Sequence, residues 1–358
     1  MSLKSAFLAG AAAVALFVPP AEAAPQRCDA RPVPAAEWQA ADPAAFGWSK
    51  PAVEAAMARA RRSWSSGMLV SRGRVIGQFG DVAAPYETRS MRKSFLNAVA
   101  GQLVAEGRLD LGATLASLGI DDVTPLTAVE KTATVEQLMQ SRAGIYLVGA
   151  YTVPGDIDDM PARGTHRPGE AFFYSNWAFN ALGTAVEMAG GASIFELFDR
   201  RIARPIGLQD FVAARDGTYR REAVSRHPAY LFDMSSRDRA RFGLLYARGG
   251  CWGAERLLPA DWIARSTAPI SVEADGPDYG LNWWSEEAPQ GSGLKQRLFM
   301  ARGFIHQYIV AIPEIDAVLV LSVDMKNGRQ LMAQGFKPPT EDDYREVVAE
   351  VLAARGGR

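Results

Sequence analysis

The apolar positions of this chain change their period twice. Residues 24–45 are rich in Pro and Ala and show no period. "SKPAVEAAMARARRSW" then reads as a helix with Pro51 near its first turn, where a missing N–H is harmless. "GMLVSRGRVIGQFGD" shortens the pattern to two strands, and the break at Ser71–Gly73 predicts a hairpin. From about residue 87 to 270 helical spacing dominates. In "FLNAVAGQLVAEGRL" Phe95, Leu96, Val99, Leu103 and Val104 fall on one face, and "VEQLMQS", "NWAFNALGTAVEMAG", "IFELFDRRIA" and "SRDRARFGLLYARGG" continue the theme. Beyond residue 278 strands return in "YGLNWWSE", "QRLFMARGF", "HQYIVAIP" and "AVLVLSVD", the last two flanking the turn "PEID". The final "TEDDYREVVAEVLAARG" is an acid-started helix with Tyr344, Val347, Val348 and Val351 on one face.

Strands near both ends with helices between them predict an α+β fold. An antiparallel sheet built from N- and C-terminal segments is flanked by helices and carries an inserted α-helical lobe. Residues 24–86 and 275–358 supply the two parts of the α/β lobe, and 87–274 the mainly helical lobe. A cleft between two such lobes is a normal place for a ligand. Residues 1–23 fit a secretory signal peptide: Lys4, then an apolar run over 6–18, then Ala21 and Ala23 as the small-x-small cleavage site. The other reading of this segment is a buried N-terminal helix or an anchor. With cleavage after Ala23 the protein is expected to be periplasmic or secreted, with no remaining membrane span.

Charge narrows the function classes. Lys plus Arg is 39 against 40 for Asp plus Glu, so the basic field that nucleic-acid binding needs is missing. Two cysteines and three histidines without ligand-like spacing argue against a zinc site, and no cofactor is expected. In an oxidising compartment Cys28 and Cys251 either pair, tying the N-terminal tail to the body, or remain separate thiols.

Three short stretches carry candidate chemistry. "ETRSMRKSFLNA" places Ser90 where loop becomes helix, with Lys93 one turn on. A serine hydroxyl is a poor nucleophile until a base takes its proton, and a lysine serves only if burial or nearby cations such as Arg92 depress its pKa. Taken alone, the same spacing describes a helix N-cap and a solvated lysine. Ser292 and Lys295 in "GSGLKQR" repeat it in a polar loop with no helix to hold the lysine. "GEAFFYSNWAFNALG" supplies Tyr174 and Asn176, a phenol able to shuttle a proton and an amide able to hold a lysine or a substrate carbonyl. In "FMARGFIHQYIVAIP", Gly303 permits close approach of a ligand to a strand, and the N–H of Phe304 can pair with that of Ser90 as an oxyanion hole. A glycine at a strand bend is the plainer reading.

In this order the three stretches resemble the serine β-lactamase and penicillin-binding-protein superfamily, and most closely its class-C-like branch of esterases and 6-aminohexanoate-oligomer hydrolases. "VEQLMQSRAGI", "HRPGEAFFYSN", "SRDRARFGLLYARGGCWGAERLLPADWI" and "YGLNWW" add to the likeness, which spans most of the chain beyond residue 23. The resemblance implies an acyl-enzyme mechanism. Ser90 attacks an ester or amide carbonyl, Lys93 and Tyr174 accept and return the proton, Asn176 orients Lys93 or the substrate, and the N–H groups of Ser90 and Phe304 hold the oxyanion. It leaves the base open between Lys93 and Tyr174.

The departure is Ala301-Arg302-Gly303, where β-lactamases and transpeptidases usually carry Lys-Thr-Gly. Arg302 either supplies a cation to the site or points to solvent, and His306 is a pocket-rim residue or a satisfied strand histidine. Within Tyr146–His166, the expected specificity loop, Asp156, Asp158 and Asp159 either face the cleft or are solvated. Trp283 and Trp284, adjacent on a strand, are expected to face opposite ways. The expected function is an exported serine hydrolase of small esters or amides. The alternatives are a true β-lactamase or D-Ala-D-Ala carboxypeptidase, and a non-catalytic binding protein on the same fold. Nothing in the sequence assigns an oligomeric state.

Overall fold

The computed structural model describes residues 28–272 and 276–356; the expected signal segment lies outside them. Strands β1 (Ser66–Ser71) and β2 (Arg74–Gly80) form the expected hairpin. Arg72 and Gly73 at its tip both have positive φ, as a two-residue turn matching the strand twist requires. β3 (Tyr86–Glu87), β4 (Gly217–Arg220) and β5 (Ala229–Met234) make a small sheet of their own. The late strands are β6 (Asp278–Tyr279), β7 (Trp284–Glu286), β8 (Leu298–Gly303), β9 (Gln307–Ile312) and β10 (Ala317–Ser322). With β1 and β2 they form one antiparallel sheet in the order β2-β1-β10-β9-β8-β7-β6.

The longer helices are α1 (Lys50–Ala60), α2 (Arg92–Ala105), α3 (Asn176–Gly190), α4 (Ser236–Ala247) and α5 (Glu341–Gly356). The large sheet is covered on both faces, which explains why β9 and β10 are buried at every position instead of alternating with polar residues. Val318, Val320, Ile309 and Ala311 join the core on the side of α2 and α4, whereas Leu319, Leu321, Tyr308 and Val310 pack with α1 and α5. The face predicted for the last helix is the one it buries: Tyr344, Val347, Val348 and Val351.

Two sequence expectations change, and one left open is decided. Helix α2 does not lie on the core by one face; every residue from Arg92 to Gly101 is buried, because α3 and the segment Ile194–Phe198 pack around it. Val104, placed on that face, is only partly buried. The stretch read as helical also contains β4 and β5. Finally, of the two states open to Cys28 and Cys251, the structure has the disulfide, with Cα atoms 5.6 Å apart. It fastens the start of the described chain to the small hairpin of Cys251–Trp252 and Glu255–Arg256.

Candidate active site

A cavity of about 440 Å³ lies where the turn before α2, the start of α3 and the β8–β9 connection converge. Ser90 sits in a short 3₁₀ turn, Arg89–Met91, that runs directly into α2. It is not a helix cap: its side chain holds no helix N–H, and Arg89 just before it has positive φ, a strained conformation for a side-chain-bearing residue. α2 is anchored from its far side, where Ser94 donates to Asn282 O at 2.7 Å and Asn97 to Leu281 O at 2.8 Å.

Lys93 rises from the first turn of α2 into this region and is 2% exposed. Its Nζ is 2.9 Å from Ser90 Oγ and 2.7 Å from Tyr174 OH. The rings of Tyr174 and Phe179 lie 4.5 and 4.7 Å from that nitrogen, and Tyr174 in turn stacks on Trp284 at 5.6 Å. Burial in this aromatic box holds the Lys93 amine well below an ordinary lysine, and the adjacent Arg92 guanidinium lowers it further, while Asp156 opposes both. Arg92 is itself buried and has no carboxylate partner among the described residues. Its Nη2 reaches Asn176 and Asn180 Oδ1 at 3.4 Å each, and the guanidinium lies 4.5 Å from the centre of the Tyr230 ring. Tyr174 moves the other way: burial raises its phenol, which keeps its proton. The structure therefore places an amine with its pKa depressed by burial between a serine hydroxyl and a tyrosine with its phenol pKa raised by burial.

Tyr174 is delivered by an extended segment entering α3. Ser175 caps that helix, accepting from Ala178 N at 3.3 Å, and its own N–H donates to Ser141 Oγ at 3.0 Å. Ser141 Oγ also donates to Phe173 O, and Arg142 holds Gly169 O, so "SRAG" clamps the approach to "YSN". Asn176 follows the cap and lines the cavity, but its amide is engaged by Arg92 and by Tyr151 O at 3.2 Å. Of the two roles expected for it, orienting Lys93 or the substrate, the first has no hydrogen bond here; the helix start turns Asn176 toward the longer arginine.

Gly303 closes β8 at the cavity. A Cβ there would stand 2.8 Å from Thr88 O, so the serine-bearing turn packs closely against this strand end, while Gly303 also lines the cavity. Gln307 reinforces the contact, donating to Glu87 O and Phe304 O. Phe304 begins the loop between β8 and β9, half exposed, followed by Ile305 and His306 with positive φ. Among the described residues no backbone acceptor takes the N–H of Ser90 or of Phe304, and both residues line the cavity.

The remaining expectations sort by position. Trp284 walls the cavity, and Trp283 is fully buried against Tyr246 at 4.3 Å, so the two do face opposite ways. Arg302 lines the cavity and is ion-paired to Glu341; His306 lines it too, as a loop residue and not a strand one, 3.1 Å from Tyr308 OH. In the loop, Asp156 faces the cavity, where burial raises its carboxyl, while Asp158 and Asp159 are exposed. Ser292 and Lys295 lie in a surface turn away from these groups, with Lys295 exposed. Sequence reasoning missed Glu87, Arg89, Gln307 and Glu341. Of these only Glu341 carried a visible signal, and an acid in a first turn reads as a helix-dipole partner.

A β-lactamase family model matches residues 53–350. Among solved structures, a protein described as a 6-aminohexanoate-dimer hydrolase from Bacillus anthracis superposes with a TM-score of 0.65 at 18% identity, over 92% of this chain and 90% of that one. A class C β-lactamase gives 0.61 at 14% identity over 86% and 97%. A D-stereospecific amidohydrolase from a Streptomyces species gives 0.54 at 21% over 79% and 95%. The chain belongs to the β-lactamase family.

Proposed function

We propose that this protein is an exported serine hydrolase that cleaves small esters or amides through an acyl-enzyme on Ser90. The observation that carries the reading is the buried, charge-depressed Lys93 amine, 2.9 Å from Ser90 Oγ and 2.7 Å from a tyrosine whose proton is retained. A neutral amine offers its lone pair to the serine hydroxyl. As Ser90 Oγ attacks the carbonyl carbon, its proton passes to Lys93 Nζ and the carbonyl oxygen gains the negative charge. The unpaired N–H groups of Ser90 and Phe304 are the donors for that oxygen. Tyr174 gives its proton to the departing alcohol or amine and recovers one from Lys93, so the acyl-enzyme forms with the dyad neutral again. A water then repeats the sequence with the roles reversed, releasing the acid. The opposite pKa directions of the two groups favour Lys93 over Tyr174 as the base. The apolar wall of Trp284, Phe304, Ile305, Pro338 and Pro339 suits an uncharged organic group beside the scissile bond.

Export rests on the charged, apolar and small-x-small order of residues 1–23 and is supported by the Cys28–Cys251 disulfide, which persists in oxidising compartments. A mature N-terminus at Ala24, read by mass spectrometry of the secreted or periplasmic protein, tests it. Catalysis is tested by fluorophosphonate labelling and p-nitrophenyl-ester hydrolysis in wild type, Ser90→Ala and Ser292→Ala. Both signals are expected to vanish in the first variant and persist in the second; labelling and turnover unchanged in Ser90→Ala would remove Ser90 from the mechanism.

A further inference from the structure

Two guanidiniums line the cavity, and neither is free. Arg89 donates to the Tyr151 hydroxyl and pairs with Glu87 at 3.1 Å. Arg302, one residue before Gly303 on β8, pairs with Glu341 in the first turn of α5. The same Glu341 carboxylate lies 3.3 Å from His306 Nδ1 and accepts from Tyr308 OH at 3.2 Å. Glu87 and Glu341 stand behind the wall, outside the lining, while Asp156 is a carboxylate within it. Burial opposes ionisation of Glu341, yet His306, Arg302 and Tyr308 together hold it below the ordinary carboxylate range. The two ion pairs cancel, so the lining presents Asp156 and no unpaired guanidinium. A substrate carboxylate at the Gly303 side would shed its hydration, find Arg302 already occupied and face the charge of Glu341 behind it.

We infer that Glu341 is a specificity-determining residue: by occupying Arg302 it closes the Gly303 side of the cavity to carboxylate-bearing substrates and selects esters and amides that are uncharged there. This rests on the reading of the cavity as the substrate site. The pairing is intramolecular and is formed before any substrate arrives, so a substrate carboxylate competes with a partner at high effective concentration. Glu341→Gln leaves the guanidinium in place and replaces its charged partner by a neutral amide oxygen, a weaker competitor for its donors. The cavity then gains a fork suited to a carboxylate without any change in its apolar wall.

The experiment compares mono-4-nitrophenyl glutarate with 4-nitrophenyl valerate, matched in length and differing in the terminal carboxylate. Glu341→Gln is expected to raise the glutarate-to-valerate ratio of kcat/KM at least tenfold, chiefly through KM, with the gain shrinking at high salt. Adding Arg302→Gln is expected to abolish that gain, and Glu341→Asp to keep the ratio low. An unchanged ratio in Glu341→Gln, or a gain that survives loss of Arg302, overturns the inference. If Glu341→Gln does not fold, Arg302→Gln decides alone: its ratio is expected within twofold of wild type, and a tenfold fall means that Arg302 already serves carboxylates. Binding of benzoate against benzamide to Ser90→Ala protein, with and without Glu341→Gln, reads the same selection by ligand-observed NMR without turnover. Absent turnover with benzoate binding gained condemns the hydrolase reading and not the charge filter.

Discussion

Gly303→Ala probes the joint between the serine turn and β8. The added methyl would sit 2.8 Å from Thr88 O, where ordinary contacts begin near 3.4 Å, and 3.3 Å from both Gln307 Cβ and Met91 Cε. The Met91 methyl can swing aside. Thr88 cannot, because its N–H is bonded to Phe232 O at 2.9 Å and its carbonyl accepts Met91 N at 3.2 Å. The turn and the strand must therefore part by roughly half an ångström, and the N–H groups of Ser90 and Phe304 separate with them. The expected cost is about 1–3 kcal/mol in stability and about 10–100-fold in kcat/KM, carried mainly by kcat because the oxyanion exists only in the transition state. The assay is p-nitrophenyl-ester hydrolysis with active sites counted by fluorophosphonate. Gly243→Ala is the matched control: its methyl would strike Ile309 and Val318 beneath α4, at 2.6 and 2.7 Å, destabilising the protein remote from the cavity. Wild-type kcat/KM in Gly303→Ala, or an equal loss per active site in Gly243→Ala, would refute the reasoning.

Other outcomes follow from the same geometry. As the proposed base Lys93 must accept a proton, so kcat/KM is expected to fall as pH drops through its depressed pKa; a profile with no limb below the ordinary lysine range contradicts this. The unfolded chain keeps that proton up to about 10.5, so between the depressed folded value and 10.5 stability rises with pH. Lys93→Met should abolish turnover while stabilising the protein at neutral pH by on the order of 1 kcal/mol, an advantage that thermal melts should see shrink toward alkaline pH. Tyr174→Phe removes only the hydroxyl and is expected to lower kcat about 10²–10⁴-fold with a smaller effect on KM. Reducing Cys28–Cys251 should cost about 2–4 kcal/mol in denaturant melts. Because neither cysteine lines the cavity, kcat of the folded protein should be retained.

What was legible in the sequence was what local spacing controls. The Ser90–Lys93 pair needs only one helical turn, the 71–73 hairpin only its turn residues, and the strand in "AVLVLSVD" only its apolar run Ala317–Leu321. Long-range pairing was not legible. Asn176 reads equally well as a partner for lysine or arginine, and only the direction of α3 turns it to Arg92. Glu341 reads as a dipole acid until α5 is laid against β8 and its carboxylate meets Arg302. The six-residue run "AYLFDM" was hidden among helical patterns because its strand character depends on β4, across an eight-residue connection, and on β3, far away in sequence. The apolar face read from Phe95, Leu96, Val99 and Leu103 is buried, but the spacing could not show that Arg92–Gly101 is covered on its other sides as well.

Arg239 shows how the scaffold is wired. Wholly buried on α4, it donates to Tyr86 O and Met234 O in the small sheet and to Gln307 Oε1 and Ser322 Oγ in the large one. One guanidinium thus indexes both sheets against each other directly behind the serine turn, with Gln307 relaying that register to Glu87 and Phe304. The Tyr146–His166 loop and the Pro338–Pro339 rim take no bond from it. For an engineer these are separate parts: the rim can be redrawn for a new substrate while the alignment of the reacting groups stays keyed to a residue no substrate touches.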